Sequence, residues 1–115
     1  MSLSIFHNPA CSKSREALAL LQSRGLQPLV IDYQQTPPSI AQLRELLALL
    51  KLPARELMRR SEEAYARLGL DNPALGEGDL LAAIAAHPIL LQRPIVVNGQ
   101  RALIARPPEL LLEFL

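Results

Sequence analysis

Residues 3–25 read LSIFHNPACSKSREALALLQSRG, and their pattern indicates how the chain begins to fold. A short apolar run from Leu3 to Phe6 breaks at an Asn-Pro pair, and apolar residues then recur at helical spacing. Gly25 follows the last of them, and glycine commonly ends helices because it adopts positive φ without strain. The stretch therefore predicts a strand, a turn and a helix from Ser12 to Arg24, with Cys11 where the turn enters the helix.

The middle of the chain is predicted to be all helical. Ser39 and Gln42 form a capping-box signature, and four leucines at i, i+3, i+4 and i+7 follow before Pro53. A later helix is expected to be capped by Asp79 and to stop at His87, just before a proline. Two shorter helical pieces are predicted between them, at Arg55 to Arg60 and Glu62 to Leu68.

The remaining runs are rich in β-branched residues and predict strands. One is Leu29 to Ile31, and two more, Ile95 to Val97 and Arg101 to Ile104, flank Asn98-Gly99. Asn-Gly is the strongest hairpin signal, and it predicts a type I′ turn with positive φ at both central residues. With a closing helix from Pro107 or Pro108 to Leu115, the order is β-α-β, a helical insert, then β-β-α. We expect a single domain spanning residues 1–115.

Composition excludes several classes of function. Only 3% of the 115 residues are aromatic, and the net charge of +1 arises from acids and bases mixed along the chain. A surface of this kind does not attract nucleic acid or anionic lipid, and no stretch approaches the ~20 apolar residues of a membrane span. We expect a cytoplasmic protein with no nucleic acid or membrane partner.

Cys11 is the one cysteine, so no intrachain disulfide can form. At the start of a helix, the free amides of residues 12–15 and the cations Lys13 and Arg15 should favour its thiolate. Such a cradle also suits a tetrahedral oxyanion. The alternative is an inert cysteine packed under the sheet. Its position after a strand, among polar residues, favours the reactive thiol.

Ser14 stands where a C-x-x-C oxidoreductase carries its second cysteine. An adduct on Cys11 must then be resolved by an external thiol, such as glutathione or a glutaredoxin. The cation best matched to a doubly charged oxyanion is arginine, whose planar fork donates two hydrogen bonds. The candidates are Arg59 (or its neighbour Arg60), Arg93 and Arg106.

An ordered set of motifs runs through nearly the whole chain. They are His7-Asn8-Pro9-Ala10-Cys11, Ser14-Arg15, Thr36-Pro37-Pro38, Tyr65, Leu68-Gly69-Leu70, His87-Pro88-Ile89-Leu90, Arg93-Pro94-Ile95-Val96-Val97 and Arg106-Pro107. This set resembles the glutaredoxin-coupled arsenate reductase family. Ser12-Lys13 departs from the glycine and threonine of the plasmid-borne enzymes, and the sequence is closer to a short chromosomal branch of the family.

The resemblance implies an α/β, thioredoxin/glutaredoxin-like fold with a four-stranded mixed sheet and a helical insertion. It also implies reduction of arsenate, or a similar oxyanion, to arsenite, with glutathione as co-substrate and glutaredoxin as partner, without metal or flavin. Cys11 becomes the nucleophile, and Arg59, Arg93 and Arg106 become the oxyanion clamp. Substrate-binding positions are assigned to Ser14, Arg15 and His7, although a histidine that only caps the strand end fits His7 equally. Thioredoxin-like folds also place a cis-proline at the position of Pro94.

Two other functions stay open at this point. A glutathione-linked thiol transferase acting on protein mixed disulfides needs Cys11 but not the three arginines. A redox-responsive binding protein of the Spx type, which docks on RNA polymerase, generally senses oxidants through a C-x-x-C pair that this chain lacks.

Overall fold

The computed structural model describes residues 3–115, which form two compact units. The first contains the chain up to Thr36 and from Arg93 onward, and the second is Pro37–Gln92. Among the described residues, no helix is both long and apolar enough to cross a membrane.

The first unit is built on a four-stranded mixed sheet in the order β2-β1-β3-β4. β1 pairs in parallel with β2, while the β1–β3 and β3–β4 pairs are antiparallel. The strands are β1 (Leu3–His7), β2 (Leu29–Asp32), β3 (Ile95–Asn98) and β4 (Arg101–Ile104). The helices are α1 (Ser12–Ser23), a 3-10 turn (Pro108–Leu110) and α5 (Leu111–Phe114). The predicted mixed sheet is confirmed.

α1 ends just before Gly25, as the sequence predicts, and the φ of Gly25 is +74°. The Gly25 N–H donates to the Gln22 carbonyl at 3.0 Å and the Leu26 N–H to the Leu21 carbonyl at 3.1 Å. This pair of bonds is the Schellman arrangement, which satisfies carbonyls that the helix leaves free. It turns the chain back toward β2.

The core of this unit lies between α1, α5 and the sheet. Ile5 and Val96 from neighbouring strands are fully buried against Leu21 of α1 and Leu111 of α5. Burying aliphatic side chains of this size contributes about 1.5–3 kcal/mol each relative to exposure. This packing fixes α1 against the end of β1 and so fixes the turn that carries Cys11.

The hairpin between β3 and β4 corrects the predicted turn. Asn98 pairs with Arg101, so the two loop residues are Gly99 and Gln100 rather than Asn98-Gly99. Positive φ occurs at Gly99, +64°, but not at Asn98 or Gln100. Positive φ at the first central residue alone is the pattern of a type II′ turn, in which glycine is preferred there.

The second unit contains α2 (Ile40–Leu50), a 3-10 helix (Ala54–Leu57), α3 (Glu63–Arg67), α4 (Glu77–Ala86) and a 3-10 helix (Pro88–Leu90). The predicted capping box is present: the Gln42 N–H donates to Ser39 Oγ at 3.1 Å, and the Ser39 N–H to Gln42 Oε1 at 2.8 Å. α2 ends before Pro53, at Lys51, which is left-handed with φ 58°.

Two predictions for this unit are wrong. Of the piece from Arg55 to Arg60, only residues 55–57 are helical, as part of the 3-10 helix Ala54–Leu57, because Met58 forms an antiparallel bridge with Leu91. The flanking bonds, from Arg59 N–H to the Leu90 carbonyl at 2.7 Å and Gln92 N–H to the Leu57 carbonyl at 2.8 Å, extend that pairing. The middle of the chain is therefore not all helical.

The N-terminus of α4 also differs from the prediction. α4 begins at Glu77, and Gly76 rather than Asp79 is its N-cap residue. Asp79 lies in the first turn, where its Oδ2 accepts the Gly76 N–H at 3.0 Å. Its carboxylate still caps the helix, but from inside the first turn.

Candidate active site

The turn between β1 and α1 holds Cys11 at the N-cap position of α1. The Cys11 N–H donates to the Asn8 carbonyl at 3.0 Å, and the Ala10 N–H to Asn8 Oδ1 at 3.0 Å. Both bonds close the turn on Asn8, which is buried. Cys11 has extended backbone angles, φ −96° and ψ 121°, and is partly exposed. The thiol therefore lies at the amide end of the helix.

The surroundings of Cys11 stabilise its thiolate. Burial raises the pKa of the thiol, but hydrogen bonds from the Ser14 N–H, the side chains of Arg93 and Arg106, and the Lys13 N–H outweigh it. The pKa falls from 9.0 to about 7. Of the amides expected to converge here, that of Arg15 bonds instead to the Cys11 carbonyl, at 3.0 Å, as the first helical bond.

Two arginines from the C-terminal segment of the first unit hydrogen-bond the thiol. Arg93 immediately precedes Pro94 and β3 and is only 7% exposed, whereas Arg106 follows β4 and is exposed. Arg106 Nη1 donates to the Arg93 carbonyl at 3.1 Å. Both the Arg93–Pro94 and Arg106–Pro107 peptide bonds are cis. The structure thus brings Cys11, Arg93 and Arg106 together, and their predicted roles as nucleophile and oxyanion clamp stay predictions.

Ser14 and His7 form a buried pair beneath the turn. Ser14 is fully buried, and its Oγ accepts the Asn8 N–H at 3.0 Å and lies 2.6 Å from His7 Nδ1. Because the Ser14 oxygen accepts the Asn8 N–H, the Ser14 hydroxyl proton is available to donate to Nδ1 of a neutral His7. Burial lowers the pKa of His7, Asp32 opposes this and Arg15 adds to it. The Ser14 side chain thus joins the strand end to the helix, and its backbone amide faces the thiol.

Arg15 is exposed, and its Nη1 donates to the Pro9 carbonyl at 2.9 Å. The bond links the first turn of α1 to the turn before it. Its predicted role in substrate binding, like those of His7 and Ser14, stays a prediction.

Arg59 belongs to the second unit. Its side chain is 18% exposed, and its Nε lies 3.7 Å from Glu62 Oε1. The neighbouring Arg60 pairs with Glu56 at 2.9 Å through a side chain that is 49% exposed, which makes it an ordinary surface ion pair. Of the two arginines, Arg59 is the more buried, and its place in the clamp stays a prediction.

Sequence reasoning missed Asn8 and Tyr33. β1 and β2 run in parallel with His7 opposite Asp32, so Asn8 and Tyr33 leave the sheet side by side at its carboxyl edge. That edge is where α/β folds place their sites, and the strand order could have pointed to both residues. Burial raises the pKa of Tyr33, Arg93 and Asn8 oppose the shift, and Cys11 adds to it.

This arrangement can perform nucleophilic chemistry on an anion. A thiol with a pKa of about 7 is substantially ionised near neutral pH, and the thiolate is the attacking form. The donors that stabilise the sulfur anion, two helix amides and two guanidinium groups, are also those that bind oxyanions. One site can therefore hold the substrate and supply the nucleophile.

Comparison with known proteins identifies relatives of this chain. The model of the ArsC family matches residues 6–114. The arsenate reductase of Haemophilus influenzae is 47% identical over 116 residues, covering 100% of both chains. The uncharacterized protein YfgD of Escherichia coli is 49% identical over 110 residues, covering 95% of this chain and 92% of that one. The solved structure of the arsenate reductase from Vibrio cholerae superposes with a TM-score of 0.97 at 49% identity, covering 100% of this chain and 98% of the other. The predicted thioredoxin-like fold is confirmed by this match.

Proposed function

Because the chain belongs to the ArsC family, we propose that it reduces arsenate to arsenite through the Cys11 thiolate. The observation that carries the proposal is the convergence of Arg93, Arg106 and two amides of α1 on a partly exposed thiol with a pKa of about 7. An inert structural cysteine has no such set of donors.

In the first step, the Cys11 sulfur attacks arsenic and one arsenate oxygen leaves as hydroxide, which takes up a proton to become water. The new bond joins sulfur to arsenic(V). Arg93 and Arg106 would clamp the remaining oxygens, and fixed donors aimed at such charge typically contribute about 2.7–4 kcal/mol each to catalysis. The planar fork of each guanidinium group can donate two hydrogen bonds to one oxyanion.

The second step requires a thiol from outside the chain. A glutathione thiolate attacks the Cys11 sulfur, and the electron pair of the sulfur–arsenic bond stays on arsenic, which becomes arsenic(III) and leaves as arsenite. Cys11 is left in a mixed disulfide with glutathione. A glutaredoxin thiolate then attacks the glutathione sulfur and regenerates Cys11. The proposal places this cycle in the cytoplasm, where thiols are kept reduced.

The test is arsenate-dependent NADPH oxidation in the presence of glutathione, glutaredoxin and glutathione reductase. We expect turnover that requires arsenate, glutathione and Cys11, and that is lost in Cys11→Ser. Removing glutathione and supplying thioredoxin with its reductase should stop it, because a chain with one cysteine forms no internal disulfide for thioredoxin to reduce.

The same assay separates the main alternative. If a glutathionylated peptide is turned over and arsenate is not, the chain is a glutathione-linked thiol transferase. That reaction needs Cys11 alone, so it should survive Arg106→Ala, whereas arsenate reduction should not.

A further inference from the structure

Tyr33 carries a buried polar group that the proposed reaction does not use. It directly follows β2 and has no exposed surface. Its hydroxyl oxygen is buried and makes no hydrogen bond to any residue that the structure describes. A buried hydroxyl without a partner destabilises a protein by about 1–3 kcal/mol. An apolar phenylalanine would avoid that cost, so the hydroxyl is conspicuous at this position.

The polar neighbours of this hydroxyl are of one kind. Asn8 and Arg93 are the polar side chains that favour its ionised form, so both turn donor groups toward the oxygen, although neither completes a hydrogen bond to it. Asn8 has turned its Oδ1 to the Ala10 N–H at 3.0 Å, which leaves the amide NH₂ end for Tyr33. A guanidinium group has no acceptor at all. The oxygen of Tyr33 is therefore surrounded by donors, and its proton lacks an acceptor.

The hydroxyl also belongs to the same charged cluster as the thiol. Arg93 lowers the pKa of both Tyr33 and Cys11, and the negative charge of Cys11 raises the pKa of Tyr33. The thiolate is not the missing acceptor, because Tyr33 is not among the groups that hydrogen-bond Cys11. An acceptor that Arg93 holds against the sulfur would lie beside the phenol.

We propose that the Tyr33 hydroxyl donates a hydrogen bond to an oxygen of the tetrahedral oxyanion bound by Cys11, Arg93 and Arg106, and so acts as an additional substrate-binding residue. The inference rests on the oxyanion site of the proposed function. Burial raises the pKa of Tyr33, which keeps the proton on the phenol at neutral pH. A neutral donor adds specificity for acceptor oxygens without adding charge to the site.

The test is Tyr33→Phe, which removes the hydroxyl and keeps the ring. Arsenate without glutathione serves as the probe, and its binding is measured as protection of Cys11 from alkylation by iodoacetamide. We expect protection to need about tenfold more arsenate in Tyr33→Phe, the effect of losing one hydrogen bond to a charged group. kcat/KM for arsenate should fall by the same factor, and the thiol pKa should stay at the wild-type value.

Tyr65→Phe is the matched control. Tyr65 is the other tyrosine of the chain, and its hydroxyl accepts from Arg55 Nη1 at 2.8 Å within the second unit. We expect that variant to lose stability but to bind arsenate like the wild type.

The outcomes are distinguishable. Equal arsenate protection in wild type and Tyr33→Phe overturns the inference and leaves the proposed function intact. A Tyr33→Phe variant whose thiol pKa rises along with the loss of binding also overturns it, since the tyrosine then acts only by supporting Arg93. Absence of arsenate protection in the wild type would instead overturn the oxyanion site itself, and the proposed function with it.

Discussion

The ionisation of Cys11 gives the sharpest test of the site. With its pKa at about 7 instead of 9.0, half of the thiol is ionised at pH 7, against roughly 1% for the unperturbed group. The thiolate fraction therefore rises about fiftyfold. A less basic thiolate is also a weaker nucleophile, by a slope of about 0.4–0.5 per pKa unit, which removes roughly eightfold of the gain. The net expectation is alkylation about sixfold faster than that of a free cysteine at pH 7.

The measurement is ultraviolet thiolate absorbance against pH, with Cys11→Ser subtracted to remove the tyrosine background, alongside the iodoacetamide rate profile. Both should give one midpoint near 7. Arg106→Ala removes an exposed donor to the sulfur and should move the midpoint upward, toward 9.0. A wild-type midpoint at or above 9.0 would show that the amides and guanidinium groups do not outweigh burial of the thiol.

The arginine clamp, the pH dependence of stability and the end of α2 can each be tested. Arg93→Ala and Arg106→Ala should each lower kcat/KM for arsenate by about ten- to a hundredfold, because each loses one charged hydrogen bond to the substrate. Arg24→Ala, a change at an exposed arginine, should leave kcat/KM unchanged. The same kcat/KM in all three variants would contradict the arginine clamp. Because the folded pKa of Cys11 is depressed, its contribution to stability is present above about 9 and is lost as pH falls through about 7. As pH rises from about 7 to about 9, denaturant unfolding should therefore show the wild type gaining stability relative to Cys11→Ser. Parallel plots of unfolding free energy against pH for the two proteins would contradict this. Lys51→Gly should raise the free energy of unfolding by about 1 kcal/mol, since Lys51 holds φ 58° at the end of α2. Urea denaturation measures this free energy, and a lower value in the variant would show that the lysine side chain matters more than the backbone.

Local signals in the sequence predicted several helix boundaries well. The spacing before Gly25 indicated α1, and the capping box at Ser39 indicated the start of α2, because both depend on residues within one or two turns. The error in the piece from Arg55 to Arg60 arose because distant backbone groups compete. Met58 pairs with Leu91, more than thirty positions away, and no periodicity near residue 58 reports that bridge.

The site residues also differ in how far the sequence alone could predict them. Cys11 was predictable because a cysteine between a strand and a helix lies beside free helix amides, which favour a reactive thiolate. Arg93 and Arg106 were proposed from their chemistry and a resemblance, and the structure was needed to show them at the sulfur. Tyr33 was missed, because its relevance comes from the parallel register of β1 with β2 and from burial, neither of which is visible in the residues around it.

The buried hydroxyl of Ser14 limits how this protein could evolve. Ser14 stands at the position that holds the second thiol of a dithiol enzyme, and its hydroxyl is hydrogen-bonded to His7 and to the Asn8 amide. A sulfhydryl is larger and a poor hydrogen-bonding substitute for a hydroxyl, so a serine-to-cysteine change would loosen the turn that presents the reactive sulfur. Under the proposed function, a self-sufficient dithiol cycle would first require these hydrogen bonds to be replaced, so the reducing equivalents are expected from an external thiol.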